Sequence, residues 1–170
     1  EAYIAPSNHK EKSTNGEEKY YHLTLLVKDN EGWKNLIQLV TQSHLKGFYY
    51  RPRMDKELLR TYGKGLIALS GCLGGEISRL LAANNMQSAV RVAREYQEIF
   101  GPDNFFIEIS SHPGIKETIV VQERLLALAK DRRERRLPDV DDGRPRAADR
   151  GSRPRAELRL EDAMSDKTVL

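Results

Sequence analysis

Cysteine is almost missing from this chain: Cys72 is the single one in 170 residues. A lone thiol excludes any disulfide within the chain and suits a reducing cytosol, so a cytoplasmic location is expected. Long apolar runs are missing too. The longest are a handful of residues, far short of the roughly 20 needed to span a bilayer. No basic stretch followed by an apolar one opens the chain, so no signal peptide is visible. A strong charge of either sign is also lacking, since 28 Lys and Arg oppose 25 Asp and Glu. Near balance predicts a bland soluble surface without strong steering of nucleic acid. The chain has no initiator Met and opens on Glu1-Ala2-Tyr3, as expected for a piece of a larger protein.

Other absences divide the chain. Residues 1–130 hold every aromatic residue and mix seven Arg with ten Lys, whereas 131–163 hold ten Arg, no Lys and no aromatic residue. No His follows His112. The Arg, Pro, Gly, Asp and Ala composition of 131–163, with neither helical nor strand period, predicts disorder there.

What is present in residues 1–130 reads as alternating strands and helices. Pro6 to Lys19 is polar and predicts an exposed loop. Tyr20 to Lys28 (YYHLTLLVK) is a strand by length and composition. Asp29 or Asn30 caps a helix from Glu31, in which Trp33, Leu36, Ile37 and Val40 share one face, and Gly47 stops it. A short helix is expected over Asp55–Tyr62 and a buried strand over Leu66–Ser70. Two helices follow, near Glu76–Ala83 and Gln87–Phe100, then a strand over Asn104–Ser110 and a helix over Lys116–Lys130. That alternation predicts βα units around a parallel sheet. Three strands leave long open edges, which again points to a part of something larger.

Few residues suggest chemistry. Cys72 lies in Ser70-Gly71-Cys72-Leu73-Gly74-Gly75-Glu76, just after a strand, where α/β folds place active sites. It could be a ligand, a nucleophile or a small buried thiol. The glycines do not form a phosphate loop, because no Gly-Lys-Ser/Thr follows. His22 sits within a strand and reads as a core residue or a ligand. His9 and His44 read as ordinary surface residues, and His112, before Pro113-Gly114, could hold a ligand. Arg51, Arg53 and Lys56 beside Phe48, Tyr49 and Tyr50 read either as an aromatic-basic patch for nucleic acid or as a turn packing its aromatics under a helix.

Longer phrases carry more information than these single residues. Glu1-Ala2-Tyr3, Tyr20-Tyr21-His22-Leu23-Thr24-Leu25-Leu26, Gly47-Phe48-Tyr49-Tyr50-Arg51-Pro52-Arg53 and Gly65 through Leu73 (GLIALSGCL) occur in this order. Together they resemble the PHP (polymerase and histidinol phosphatase) domain at the N-terminus of bacterial DNA polymerase III alpha subunits. The resemblance covers residues 1 to about 130. It implies an α/β fold that is part of a distorted, TIM-like β/α barrel, incomplete at both ends. It also implies a cluster of His, Asp, Glu and Cys ligands for divalent metals, and in some members a 3′–5′ exonuclease. By position, Glu1, His22 and Cys72 match metal ligands of the family. A thiolate with imidazole and carboxylate suits zinc, with manganese or magnesium as alternatives.

The parent implied is a DNA-directed DNA polymerase, a nucleotidyltransferase of replication. Its partners would be DNA, deoxynucleotides and other subunits of the replicative holoenzyme, and magnesium would serve its polymerase site. No polymerase carboxylate is in this piece, so no catalytic residue is assigned and the piece alone is expected to be inactive. The alternatives are a stand-alone PHP phosphoesterase or a structural PHP module. Two departures bear on activity: the family's opening His-x-His would precede Glu1, and its closing Asp-x-His is missing after Lys130. Gly143-Arg144-Pro145, if encoded GGN-CGN-CCN and read one base later, can spell Asp-Val-His. Met164 to Thr168 resembles the family again. A pair of compensating frameshifts across 131–163 is therefore expected, with a divergent linker as the other explanation.

Overall fold

The computed structural model describes residues 1–12, 20–109 and 116–134. His112 and residues 135–170, with the proposed frameshifted stretch and the family-like return, lie outside the described residues. Within them, strands β1 (Ala2–Ile4), β2 (Tyr21–Val27), β3 (Phe48–Tyr49), β4 (Arg51–Met54), β5 (Leu66–Leu69) and β6 (Phe105–Phe106) form one sheet in the order β3-β4-β1-β2-β5-β6. Helices α1 (Asn30–Leu45), α2 (Lys56–Tyr62), α3 (Glu76–Ala82), α4 (Met86–Phe100) and α5 (Lys116–Glu134) complete it.

Local chemistry sets the helix starts. Asp29 accepts a hydrogen bond from Gly32 N–H at 2.8 Å, Asp55 from Leu58 N–H at 2.9 Å and Asn85 from Ser88 N–H at 3.0 Å. Each side chain thereby satisfies one of the N–H groups that a helix leaves unpaired at its start. The last helix continues through Glu134 into the segment that composition had marked as irregular.

The sheet is mixed, not parallel. β2 runs antiparallel to both its neighbours, pairing Tyr3 with His22 on one side and Thr24 with Leu69 on the other. The order of strands and helices alone does not fix direction, because an antiparallel pair can be joined by a short turn or a long segment whereas a parallel pair needs a long crossover. β1 pairs with β4, and β5 with β6, in parallel. β1 and the β3–β4 hairpin were not read from the sequence as strands at all, and the last strand is two residues rather than seven.

Side chains alternate across a strand, so the sheet has two unlike faces. One carries Ala2, Ile4, Leu23, Leu66, Ala68 and Phe105, all buried in one core with Leu39, Leu59, Ile77, Leu81, Ala93 and Tyr96 from the helices. The other carries His22, Thr24 and Leu26 of β2, Ile67 and Leu69 of β5, and Phe106. Leu26 and Phe106 are exposed on that second face. In α1 the buried positions are Gly32, Leu39 and Ser43, whereas Trp33, Ile37 and Val40 are exposed. Of the apolar face read from the spacing, Leu36 packs against the core and the other three positions are exposed.

Candidate metal centre

β1 ends the approach of Glu1 to the second face of the sheet, and the register that sets Tyr3 opposite His22 brings the two ligand candidates of these strands together. Glu1 Oε1 lies 2.8 Å from His22 Nδ1. Cys72 arrives from the loop after β5, its Sγ 3.4 Å from the same Nδ1. One ligand atom from each of the three residues lies within 4.8 Å of the others. His22 is half-buried and Glu1 more open, so the cluster faces outward on one side.

The glycines around Cys72 make that approach possible. Gly71 has φ +78°, and a Cβ there would lie 2.6 Å from the His22 carbonyl oxygen. Only glycine enters that left-handed conformation at little cost. A Cβ on Gly74 would meet His22 Nδ1 at 3.0 Å. The loop is also tied to the strand by main-chain bonds: His22 N–H donates to Gly74 O at 3.1 Å, and Gly75 N–H to Cys72 O at 2.9 Å. Gly74 N–H points at Cys72 Sγ, 3.4 Å away.

On its other side His22 is held by rings that sequence reading passed over. Tyr20 lies parallel to the imidazole with centroids 5.7 Å apart, and Tyr3 meets it edge-on at 5.6 Å. Tyr3 also packs edge-on against Tyr20 at 4.9 Å, and Arg51 sits 5.7 Å from the Tyr3 ring centre. The signal available in the sequence was the Tyr-Tyr-His run, but Tyr3 joins only through strand pairing.

The donor set fits a small divalent ion. Zinc bonds of about 2.0–2.3 Å to N, O and S place tetrahedral ligands roughly 3.3–3.7 Å apart, and His22 Nδ1 has neighbours at 2.8 and 3.4 Å. Small movements suffice to match that spacing.

Other sequence candidates fall elsewhere. His44 is exposed, with Nδ1 2.9 Å from Val40 O. His9 is not an exposed loop residue: it is buried beside Asp55, its ring Nδ1 2.5 Å and its main-chain N–H 2.9 Å from Asp55 Oδ2. The aromatic-basic group at 48–56 does not form one surface. Arg53 is buried, donating to the carbonyls of His9, Glu11 and Gly47, and burial lowers its pKa against a smaller opposing effect of Tyr49. Lys56 points into an acidic cluster, 3.0 Å from Glu76 Oε2 and 2.7 Å from Glu95 Oε2. Nor do the aromatics pack under a helix, since Phe48 and Tyr50 are exposed at the hairpin. The turn needs a left-handed residue, which Tyr50 supplies at φ 57°.

The described residues thus form a mixed α/β domain with a carboxylate, an imidazole and a thiol gathered on the sheet face that leaves Leu26 and Phe106 exposed. Residues 1–112 match the PHP domain, and the chain belongs to that family. It is 41% identical over 131 residues to the DNA polymerase III subunit alpha of Treponema pallidum, a match covering 76% of this chain and 11% of that protein. Similarity to the same subunit of Borreliella burgdorferi is 45% over 65% of this chain and 10% of the relative. For Thermus aquaticus it is 42% over 76% of this chain and 11% of the relative. The chain spans about a tenth of the length of the curated relatives it matches. Among the described residues, no helix is long and apolar enough to cross a membrane.

Proposed function

We propose that this chain is the PHP region of a DNA polymerase III alpha subunit and that Glu1, His22 and Cys72 are metal ligands in it. The observation that carries this reading is the convergence of the three side chains, from β1, β2 and the loop after β5, to within 4.8 Å. Such a set matches zinc in ligand type and geometry better than magnesium or manganese, which prefer all-oxygen shells. A metal bound there would polarise a phosphodiester and activate water, the chemistry of a 3′–5′ exonuclease or phosphoesterase. The chain's own contribution is to hold the imidazole plane with Tyr20 and Tyr3 and to press the thiol against it with the glycine loop.

Residues 1–130 would be the central part of the domain, and closure of the uncovered sheet face by further strands would give the distorted barrel. Residues 131–163 would be the frameshifted stretch and 164–170 the return to family sequence. In the parent, DNA, deoxynucleotides and other holoenzyme subunits are the partners, magnesium serves polymerisation and the location is the cytoplasm. A structural PHP module is the second reading, favoured by a centre that gathers three ligands among the described residues.

Cobalt(II) titration of the full chain tests the ligand assignment. The expected result is one equivalent bound, with a sulfur-to-cobalt absorption that Cys72→Ser abolishes and His22→Ala weakens at least tenfold in affinity. Binding unchanged in both variants would refute it.

A further inference from the structure

Helix α4 buries Ala89, Val92, Ala93, Tyr96 and Phe100 and turns its opposite side to water. Along that side Gln87, Arg91, Arg94 and Glu98 follow one another at i, i+4, i+7 and i+11, a single row on a helix. The row lines a groove of about 920 Å³ that Arg60 of α2 also borders. A second hollow, of about 420 Å³, shares Arg94 and Glu98 with the first and runs on to Gly101 and Pro102. Glu95, also in the lining, is already engaged by Lys56 at 2.7 Å and by Arg60 at 2.8 Å, so its charge is offset. Arg91 meets the Ser88 hydroxyl at 3.5 Å, too far to be held firmly. Among the described residues, Arg91, Arg94 and Glu98 are in no ion pair. Like charges three residues apart destabilise a helix, so the stability of α4 does not account for the two arginines.

We propose that this trough docks an extended acidic segment of another protein, of the pattern acid-x-acid-x-base, whose two carboxylates meet Arg91 and Arg94 and whose cation meets Glu98. Charge complementarity selects the occupant. A guanidinium fork binds a carboxylate through two parallel hydrogen bonds, and arginine clusters recur as readers of acidic motifs. Spacing agrees: the seven residues from Arg91 to Glu98 rise about 10 Å along the helix. Three alternate residues of an extended chain, all pointing to one side, span about 13 Å, and the long arginine side chains take up the difference. Two features disfavour nucleic acid. Glu98 would repel a phosphate backbone, and among the described residues no aromatic ring lines the trough for a base to stack on. The buried side of α4 packs on the sheet face opposite to that of Glu1, His22 and Cys72, so the proposal does not depend on a metal bound there.

Fluorescence anisotropy of the full 170-residue chain with a labelled Ala-Asp-Ala-Asp-Ala-Lys-Ala peptide tests this. Binding should weaken as salt rises, because the pairs are exposed. Arg91→Gln and Arg94→Gln, both exposed changes that do not threaten the fold, should each weaken it by about 2- to 5-fold, the range exposed ion pairs carry. A peptide with the lysine moved between the two aspartates should bind the wild-type chain as weakly as the first peptide binds the double variant. Glu98→Lys should lose affinity for the original peptide and gain it for one with a third aspartate in place of the lysine. Loss of fold cannot produce such an exchange. No measurable binding, equal affinity for the two charge orders, or unchanged affinity in the double variant would overturn the proposal. So would an oligothymidylate that binds more tightly than the peptide and depends on the same arginines, which would make the trough a nucleic-acid surface.

Discussion

Replacing Asp55 with Ala removes three hydrogen-bond acceptor contacts from a carboxylate that is almost fully buried. Oδ1 accepts from Leu58 N–H at 2.9 Å, and Oδ2 faces the His9 main-chain N–H at 2.9 Å and ring Nδ1 at 2.5 Å. Loss of the helix cap alone costs about 1 kcal/mol. Each His9 group left buried without a partner costs about 1–3 kcal/mol, reduced where water enters the vacated space. The expected total is about 2–4 kcal/mol at pH 7. Asp55→Asn keeps the shape and one acceptor and should cost about 1–2 kcal/mol. The pH dependence follows from the carboxyl's environment. Burial pushes the Asp55 pKa up, but the His9 ring, the His9 N–H and the Leu58 N–H outweigh it and hold it below the usual 3.8. Stability from the ionised form is then complete above that unfolded value and is lost as pH falls through the lower folded one. Wild type and Asp55→Asn should therefore converge only in strong acid, below about pH 4. Urea unfolding followed by far-ultraviolet circular dichroism is the assay, because Trp33 is 57% exposed and makes a poor fluorescent reporter. A cost below about 1 kcal/mol for Asp55→Ala, or a gap to Asp55→Asn that is undiminished in strong acid, would refute the reasoning.

Gly71→Ala should lower stability by about 1–2 kcal/mol, the cost of a left-handed residue with a side chain, and should weaken cobalt binding because the new methyl meets the His22 carbonyl; wild-type binding in a folded variant would contradict this. Leu39→Ala should cost about 2–5 kcal/mol, while Trp33→Ala on the same helix should stay within about 0.5 kcal/mol. Chemical denaturation of the pair checks the order, and a reversed order would show that α1 packs by its other face.

How much of this was legible in the sequence depended on whether the information was local. The first helix start, at Asp29 or Asn30, was readable because a cap acts over three residues, and the short helix over Asp55–Tyr62 was readable as a local element after Arg51-Pro52-Arg53. Strand β2 and helix α4 were readable because length and composition exceed chance. What failed needed partners distant in sequence. β1 is three residues long and exists through pairing with β2 and β4, 17 or more positions away. Sheet direction failed for the same reason. The exposed face of α1 misled because apolar spacing reports amphipathicity but not which face meets the sheet. Cys72 and His22 were each readable as possible ligands, but Glu1 and the grouping of the three came by resemblance alone, since spacing gave no reason to join residues 1, 22 and 72. His9 looked like a loop residue because nothing near it in sequence marks Asp55 as its partner.

The position of the three ligand candidates on the sheet links site and fold. They sit with the face that leaves Leu26 and Phe106 exposed, not with the face packed under the helices. Thr24, the next residue of β2 on the same face as His22, already reaches Glu108 at 3.3 Å, and Glu108 N–H is held by buried Ser70 at 2.9 Å. Polar groups from β2 and from the segment after β6 thus converge where apolar side chains also await cover. Covering that face by additional strands would remove Leu26 and Phe106 from water, worth about 25 cal/mol for each Å² of apolar surface buried. It would also lower the dielectric around Glu1, His22 and Cys72, strengthening their hold on a cation. On the proposed barrel, closure of the sheet and tightening of the metal centre are one event, so metal affinity and folding stability should rise together when the complete domain is compared with this chain.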